Sequence, residues 1–180
     1  TLEITFVFLV WLMSITLNFH TILFLNYITN LDSKIIHGPT GATLLDLPSP
    51  YEAHSLGLLH LPRFLAKIRK HLQGTLPKSY QRNFTKGFDG FLCLHLGLEA
   101  EQIIACVQKA KSEEELNHSL KELLPKDLRV HEWNRRVVQI GMSDMALEKL
   151  QEIKEGLGAS DRDELRSFAD VIDFDEQKIT

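Results

Sequence analysis

The chain has 180 residues, 44% of them hydrophobic and 24% charged, with a net charge of −4. That is enough apolar material for one domain with a sizeable core, and it lacks the overall positive charge that marks nucleic-acid binding. Two cysteines, Cys93 and Cys106, both among apolar neighbours, argue against a disulfide framework and for reduced thiols packed inside a cytoplasmic domain.

From Ile4 to Leu31 there is no Asp, Glu, Lys or Arg. A run of that length can cross a bilayer, which takes roughly 20 mostly apolar residues. It has no basic start and no small-residue cleavage site, and Asn18, His20 and Asn26 interrupt it. Three readings of residues 1–31 stay open. They are a membrane anchor through residues 4–31, translated sequence ahead of a true start (the chain begins at Thr1), or a buried core segment. On the first two the run stands apart from the folded domain.

Residues 32–46 have linker composition, with Gly38, Pro39 and Gly41 close together, and the helical domain is expected over 47–180. The spacing predicts a helix over 62–73. Pro62 suits its first turn and Gly74 a left-handed stop, with Phe64, Leu65, Ile68 and Leu72 on one face and Arg63, Lys67 and Lys70 on another. A loop, GTLPKSYQRNFTKGFDG, runs from Gly74 to Gly90, with Asp89 placed to cap a short helix that Gly97 stops. Further helices are expected over EAEQIIACVQKA, over EEELNHSLKELL (capped by Ser112 with Glu115, closed by Pro125) and over LRVHEWNRRVVQI after Asp127. DMALEKLQEIKE after Ser143 and DRDELRSFADVI, opened by Ser160 with Asp163, complete the set. The fold class is therefore all-α: an irregular bundle of about seven short helices, with a separate apolar N-terminal segment.

Motifs narrow the chemistry. The loop is not a phosphate cradle, because Pro77 stands where a glycine is needed and a helix rather than a strand leads into it. His54, His60 and His71 lack the spacing of a helical zinc pair, so no metal or cofactor is expected, and these side chains read as solvent-facing or satisfied in the core. No nucleophile motif occurs, and an active site assembled from distant residues would draw on His60, Lys67, Tyr80, Lys86 and Asp89. Trp133 is expected in the core with its indole N–H paired.

Charge layout is the most informative feature. Between Ala53 and Phe88 lie seven Lys or Arg and no acid, whereas Met142 to Thr180 holds 11 acidic and 5 basic residues. Either the acidic C-terminal helices fold back onto the basic face, or an outside anion compensates it. The second option makes Arg63, Lys67, Lys78, Tyr80, Arg82 and Lys86 the anion-binding candidates. An anionic small molecule or an acidic macromolecule is then the partner. Tyr80, Phe84 and Phe88 read first as anchors of the loop to the core.

The stretches SPYEAHSLGLLHLPRFLAKIRKHLQGTLP, NFTKGFDGFL, EWN and ASDRDELRSFADVIDFDE resemble the bacterial family catalogued as domain of unknown function 5069, from about Leu47 to the C-terminus. Of that family's pattern, Ser49-Pro50, Gly57, Leu61-Pro62-Arg63 and Lys67 are present, while Pro48, Leu58 and Ala66 replace an arginine, a glycine and an aspartate. The resemblance implies a small helical domain and brings no catalytic role. Three functions remain in play: a binding module with a basic anion-accepting face over 53–88, an enzyme for a phosphorylated or carboxylated small molecule, and a structural domain whose charges pair internally. In the enzyme, Arg63 and Lys67 would be clamps and Tyr80 or Lys86 the proton-transfer group.

Overall fold

A computed structural model describes residues 35–38 and 41–179; the apolar run of residues 1–31 lies outside the described residues. Two short strands, β1 (Ile35–Gly38) and β2 (Gly41–Leu44), pair with each other, so part of the segment read as linker carries structure, and Thr43 and Leu44 are buried. Eight helices follow among the described residues, which makes the fold all-α in all but this hairpin.

Helix α1 (Leu61–Leu72) forms where expected, with Pro62 in its first turn and Gly74 past its end at φ 70°, a backbone region that a residue without Cβ enters freely. Leu61, Phe64, Leu65 and Ile68 are buried on one side. Arg63 and Lys67, one turn apart on another, are nearly as buried, at 4% and 7% exposure. Helix α1 is therefore the central rod of the domain, and only Leu72, at the end of its predicted apolar face, emerges.

The connection after α1 contains a short helix, α2 (Lys78–Gln81), which periodicity did not reveal. Then come α3 (Phe88–Leu96), α4 (Ala100–Lys109), α5 (Glu113–Leu123) and α6 (Val130–Gln139). Phe64, Leu92, Ile103, Leu120, Trp133 and Val137 are the centre of one apolar cluster with α1. Cys93 is buried in it, and burial pushes its thiol up to about 11. Trp133 donates its indole N–H to the Leu59 carbonyl at 2.8 Å, while Asn134 accepts from the Leu59 N–H at 3.0 Å and donates to the Gly57 carbonyl at 2.9 Å. These bonds fix the chain just ahead of α1, and with it His60.

A second, smaller cluster joins α7 (Asp144–Gly156) and α8 (Phe168–Asp175) around Leu150, Ala159, Leu165 and Val171. Here several expected caps are corrected. Ser112 does cap α5, accepting from the Glu115 N–H at 3.2 Å. Asp127 does not cap α6, whose N-cap is Arg129, and Ser143 precedes α7 without a side-chain bond. The last helix starts not after Ser160 but after Ser167, where Ser167 and Asp170 form a reciprocal capping box. Both serines fit the rule; the one whose following residues bury Ala169 and Val171 and half-bury Phe168 is the one used. Between α6 and α7, Gly141 sits at φ 104°, and a Cβ there would lie 2.9 Å from the Phe168 nitrogen. The Phe168 N–H donates to the Ile140 carbonyl at 2.9 Å. This close approach brings the start of α8 against the end of α6.

Candidate functional site

The two clusters meet across a cavity of about 370 Å³, within the range of small-molecule sites. His60, Arg63, Lys67 and Phe88 line one side. Ile153 and Leu157 of the α7 end, with Phe168, Val171 and Ile172 of α8, line the other. Arg82, Asn83 and Lys86, all exposed, stand at its rim.

Beneath the first wall lies Asp89, fully buried. Its expected role as cap of α3 is corrected: Gly87 occupies that position, and the Asp89 carboxylate turns inward from the first turn. Lys67 Nζ donates to both carboxylate oxygens at 2.6 Å, and His60 Nε2 is 2.8 Å from Oδ1. The Thr85 N–H reaches Oδ2 at 3.2 Å. A buried ammonium needs a partner of opposite charge, which explains why Asp89 serves Lys67 rather than the helix end. Burial alone would raise the Asp89 pKa; Lys67 and His60 outweigh it and hold the carboxyl below its ordinary value. Burial lowers the Lys67 pKa, against the pull of Asp89.

His60 stacks on Phe88 with ring centroids 5.1 Å apart. Burial, helped by Lys67 and Arg63 and opposed by Asp89, pushes its pKa down to about 4, so the ring is neutral near pH 7. Because Asp89 is ionised, the single ring proton belongs on Nε2, which donates to it. Nδ1 then carries a lone pair, and it has no hydrogen-bond partner among the described residues. The His60 backbone is also strained, at φ 66°. Only Thr85 and Gln177 share a positive φ among the described non-glycine residues. One donates to Asp89 and the other follows Glu176, so all three adjoin this site.

The second buried carboxylate closes the wall from α8's end. Arg63 grips Glu176 with a two-pronged contact, Nη1 to Oε2 at 2.7 Å and Nη2 to Oε1 at 2.5 Å, while Nη1 also reaches the Pro48 carbonyl at 3.0 Å. Tyr80 donates its phenol to Glu176 Oε1 at 2.8 Å and accepts from the Leu44 N–H at 3.0 Å. Burial and the neighbouring Glu176 raise the Tyr80 pKa, so its phenol remains a donor. Burial would raise Glu176 as well, but Arg63 and Lys178, the latter 2.6 Å away, keep it ionised. Two further ties hold α8: Ser49 Oγ to Asp173 at 2.5 Å and Tyr51 Oη to Asp170 at 2.6 Å.

Of the six candidates from the sequence, Arg63, Lys67, Tyr80, Arg82 and Lys86 line this cavity, and Lys78 is exposed outside its lining. The C-terminal acids do fold back onto the basic face, through Glu176 on Arg63. Asp89 takes Lys67, Asp46 takes Lys70 at 2.8 Å and Glu113 takes Arg69 at 2.6 Å. Among the described residues, Lys78, Arg82 and Lys86 have no ion pair. The loop aromatics anchor as expected: Phe84 lies 4.6 Å from the His71 ring and packs on the main cluster with Phe88. Of the residues that build the site, Glu176 escaped the sequence reading altogether, while His60 and Asp89 entered it only as candidate parts of an active site assembled from distant residues. A fair signal was available for the acids, since two cations one turn apart on a buried helix demand carboxylates from elsewhere.

No group of three or more His, Cys, Asp or Glu side chains among the described residues is placed to hold a metal. No single described helix is long and apolar enough to cross a membrane. Fold and site together define a small, mostly helical domain built around a pocket with one apolar wall and one wall of buried ion pairs. Residues 46–178 match the family described as Domain of unknown function (DUF5069), and the chain belongs to that family. No curated protein and no solved structure matches the chain.

Proposed function

We propose that the domain is a receptor for a small organic anion, whose charge rests against Arg82 and Lys86 and whose body enters the cavity. One observation carries this reading: two cations stand at the rim without ion-pair partners among the described residues, while the cations deeper in the wall are already neutralised. With Arg63 neutralised by Glu176 and Lys67 by Asp89, the lining leaves Arg82 and Lys86 against the single acid Asp175, so the mouth favours negative charge. Ile153, Leu157 and Phe168 supply an apolar wall for the rest of the molecule.

The rival readings fare differently. Internal pairing accounts for Arg63, Lys67, Arg69 and Lys70, and it leaves the rim unexplained. Proton transfer by Tyr80 is disfavoured, because its raised pKa and its bond to Glu176 suit a fixed donor. An acidic macromolecule would have to engage Arg82 and Lys86 together with Lys78, which lies outside the cavity lining. The enclosed volume favours a small ligand.

Calorimetric titration with benzoate and with propyl phosphate tests the proposal. The Arg82→Ala/Lys86→Ala variant should bind at least tenfold more weakly and with a flatter salt dependence, while Lys78→Ala binds like the parent. All three sites are exposed, so the fold should tolerate the changes. Undiminished affinity in the double variant, or no binding of either anion by the parent chain, would overturn it.

A further inference from the structure

Resting on that reading, we infer that the ligand carries a hydroxyl or N–H group and that His60 Nδ1 accepts its hydrogen bond at the inner wall of the cavity. The ligand class thereby narrows from any small anion to an organic anion with a hydrogen-bond donor along its body.

Geometry supplies the argument. His60 lines the cavity, whereas Asp89 stands behind the wall and takes the Nε2 edge of the ring at 2.8 Å. The only other polar atom of the ring is Nδ1, and it is buried without a partner among the described residues. A buried acceptor left unpaired costs stability, and native folds rarely keep one without use. The position is also expensive in backbone terms: φ is 66° at a residue with a Cβ, held there by the bonds around Leu59 and by the Phe88 stack. The ring's orientation and tautomer are thus fixed by Asp89 behind the wall and by Lys67 and Phe88 within it, and its free lone pair is fixed with them.

The same arrangement decides between recognition and proton abstraction. An Asp–His pair with an open second nitrogen can act as a general base, which works best when its pKa is close to the working pH. Here Lys67 occupies both oxygens of Asp89 at 2.6 Å, and burial holds the imidazole at about 4. Such a ring accepts a hydrogen bond well and takes up a proton poorly. His60 is a recognition group.

The test compares anions that differ only in hydroxyls: benzoate with 3- and 4-hydroxybenzoate, and propyl phosphate with glycerol 3-phosphate. The two series also separate a carboxylate from a phosphate as the anionic end. The parent chain should bind the hydroxylated member of one series about tenfold or more tightly than its plain counterpart, as one buried hydrogen bond implies. His60→Asn, which suits the left-handed backbone, should erase that preference, bringing the ratio of affinities within the series to about one whatever it does to plain-anion binding. Arg82→Ala/Lys86→Ala should weaken all members alike. Should the His60 variant fail to fold, nitrogen NMR of histidine-labelled parent protein decides instead: the hydroxylated anion, and not the plain one, should move the His60 Nδ1 resonance. Equal affinities within both series, with the rim variant still impaired, would overturn this inference and leave the anion pocket standing. Binding of no member would remove both.

Discussion

His60 shows how much a single side chain can tie stability to solution conditions. Its pKa falls from 6.5 in the unfolded chain to about 4 in the fold, chiefly because burial disfavours the imidazolium. A group depressed in this way takes up its proton first in the unfolded state. Its contribution is complete above pH 6.5 and disappears as the pH drops toward 4. A gap of that size is on the order of 3 kcal/mol. Urea unfolding at pH 7 and pH 5 should show a large part of that loss, and His60→Asn should flatten the slope. A parent protein equally stable at both values would contradict the burial argument. From sequence this residue read as solvent-facing or satisfied in the core, and half of that was right: Nε2 is satisfied and Nδ1 is not. Nothing local distinguishes the two nitrogens, because their fates are set by Asp89, 29 residues away.

At the scale of elements, the sequence was most legible where a signal is local. Pro62 and Gly74 bracket α1, Ser112 caps α5, and the apolar spacing of α4 and α6 sets which sides are covered. It was least legible at α8, where two serine-based starts compete and tertiary burial chooses Ser167. Asp89 misled for a related reason: an acid at a helix start is a good cap until a buried ammonium competes for it. The Gly141 turn yields a firm prediction. A side chain there meets both a positive φ and the Phe168 nitrogen, so Gly141→Ala should cost at least about 2 kcal/mol. Thermal unfolding will measure it, and a shift within error of the parent would show that the turn can relax. The damage should fall on α8 and hence on one wall of the cavity.

For the molecule as a whole, the cavity divides a larger apolar cluster around α1 from a smaller one around α7 and α8. Unequal cores imply unequal opening energies. Hydrogen exchange should find α1 amides protected to the level of global unfolding, with α8 amides exchanging markedly sooner. Uniform protection along the chain would mean that the two parts cooperate fully. What joins them is mostly polar and distant in sequence: Ser49 meets Asp173 across 124 positions, and Arg63 meets Glu176 across 113. The same guanidinium holds the Pro48 carbonyl. Entry to the domain and exit from it therefore lie side by side, bridged by one arginine. A polypeptide with neighbouring ends can be re-cut: a short tether from residue 179 back to residue 46, with new termini opened in an exposed turn, would keep every buried ion pair. The domain is in effect a ring with a removable seam, suited to insertion within a longer host chain.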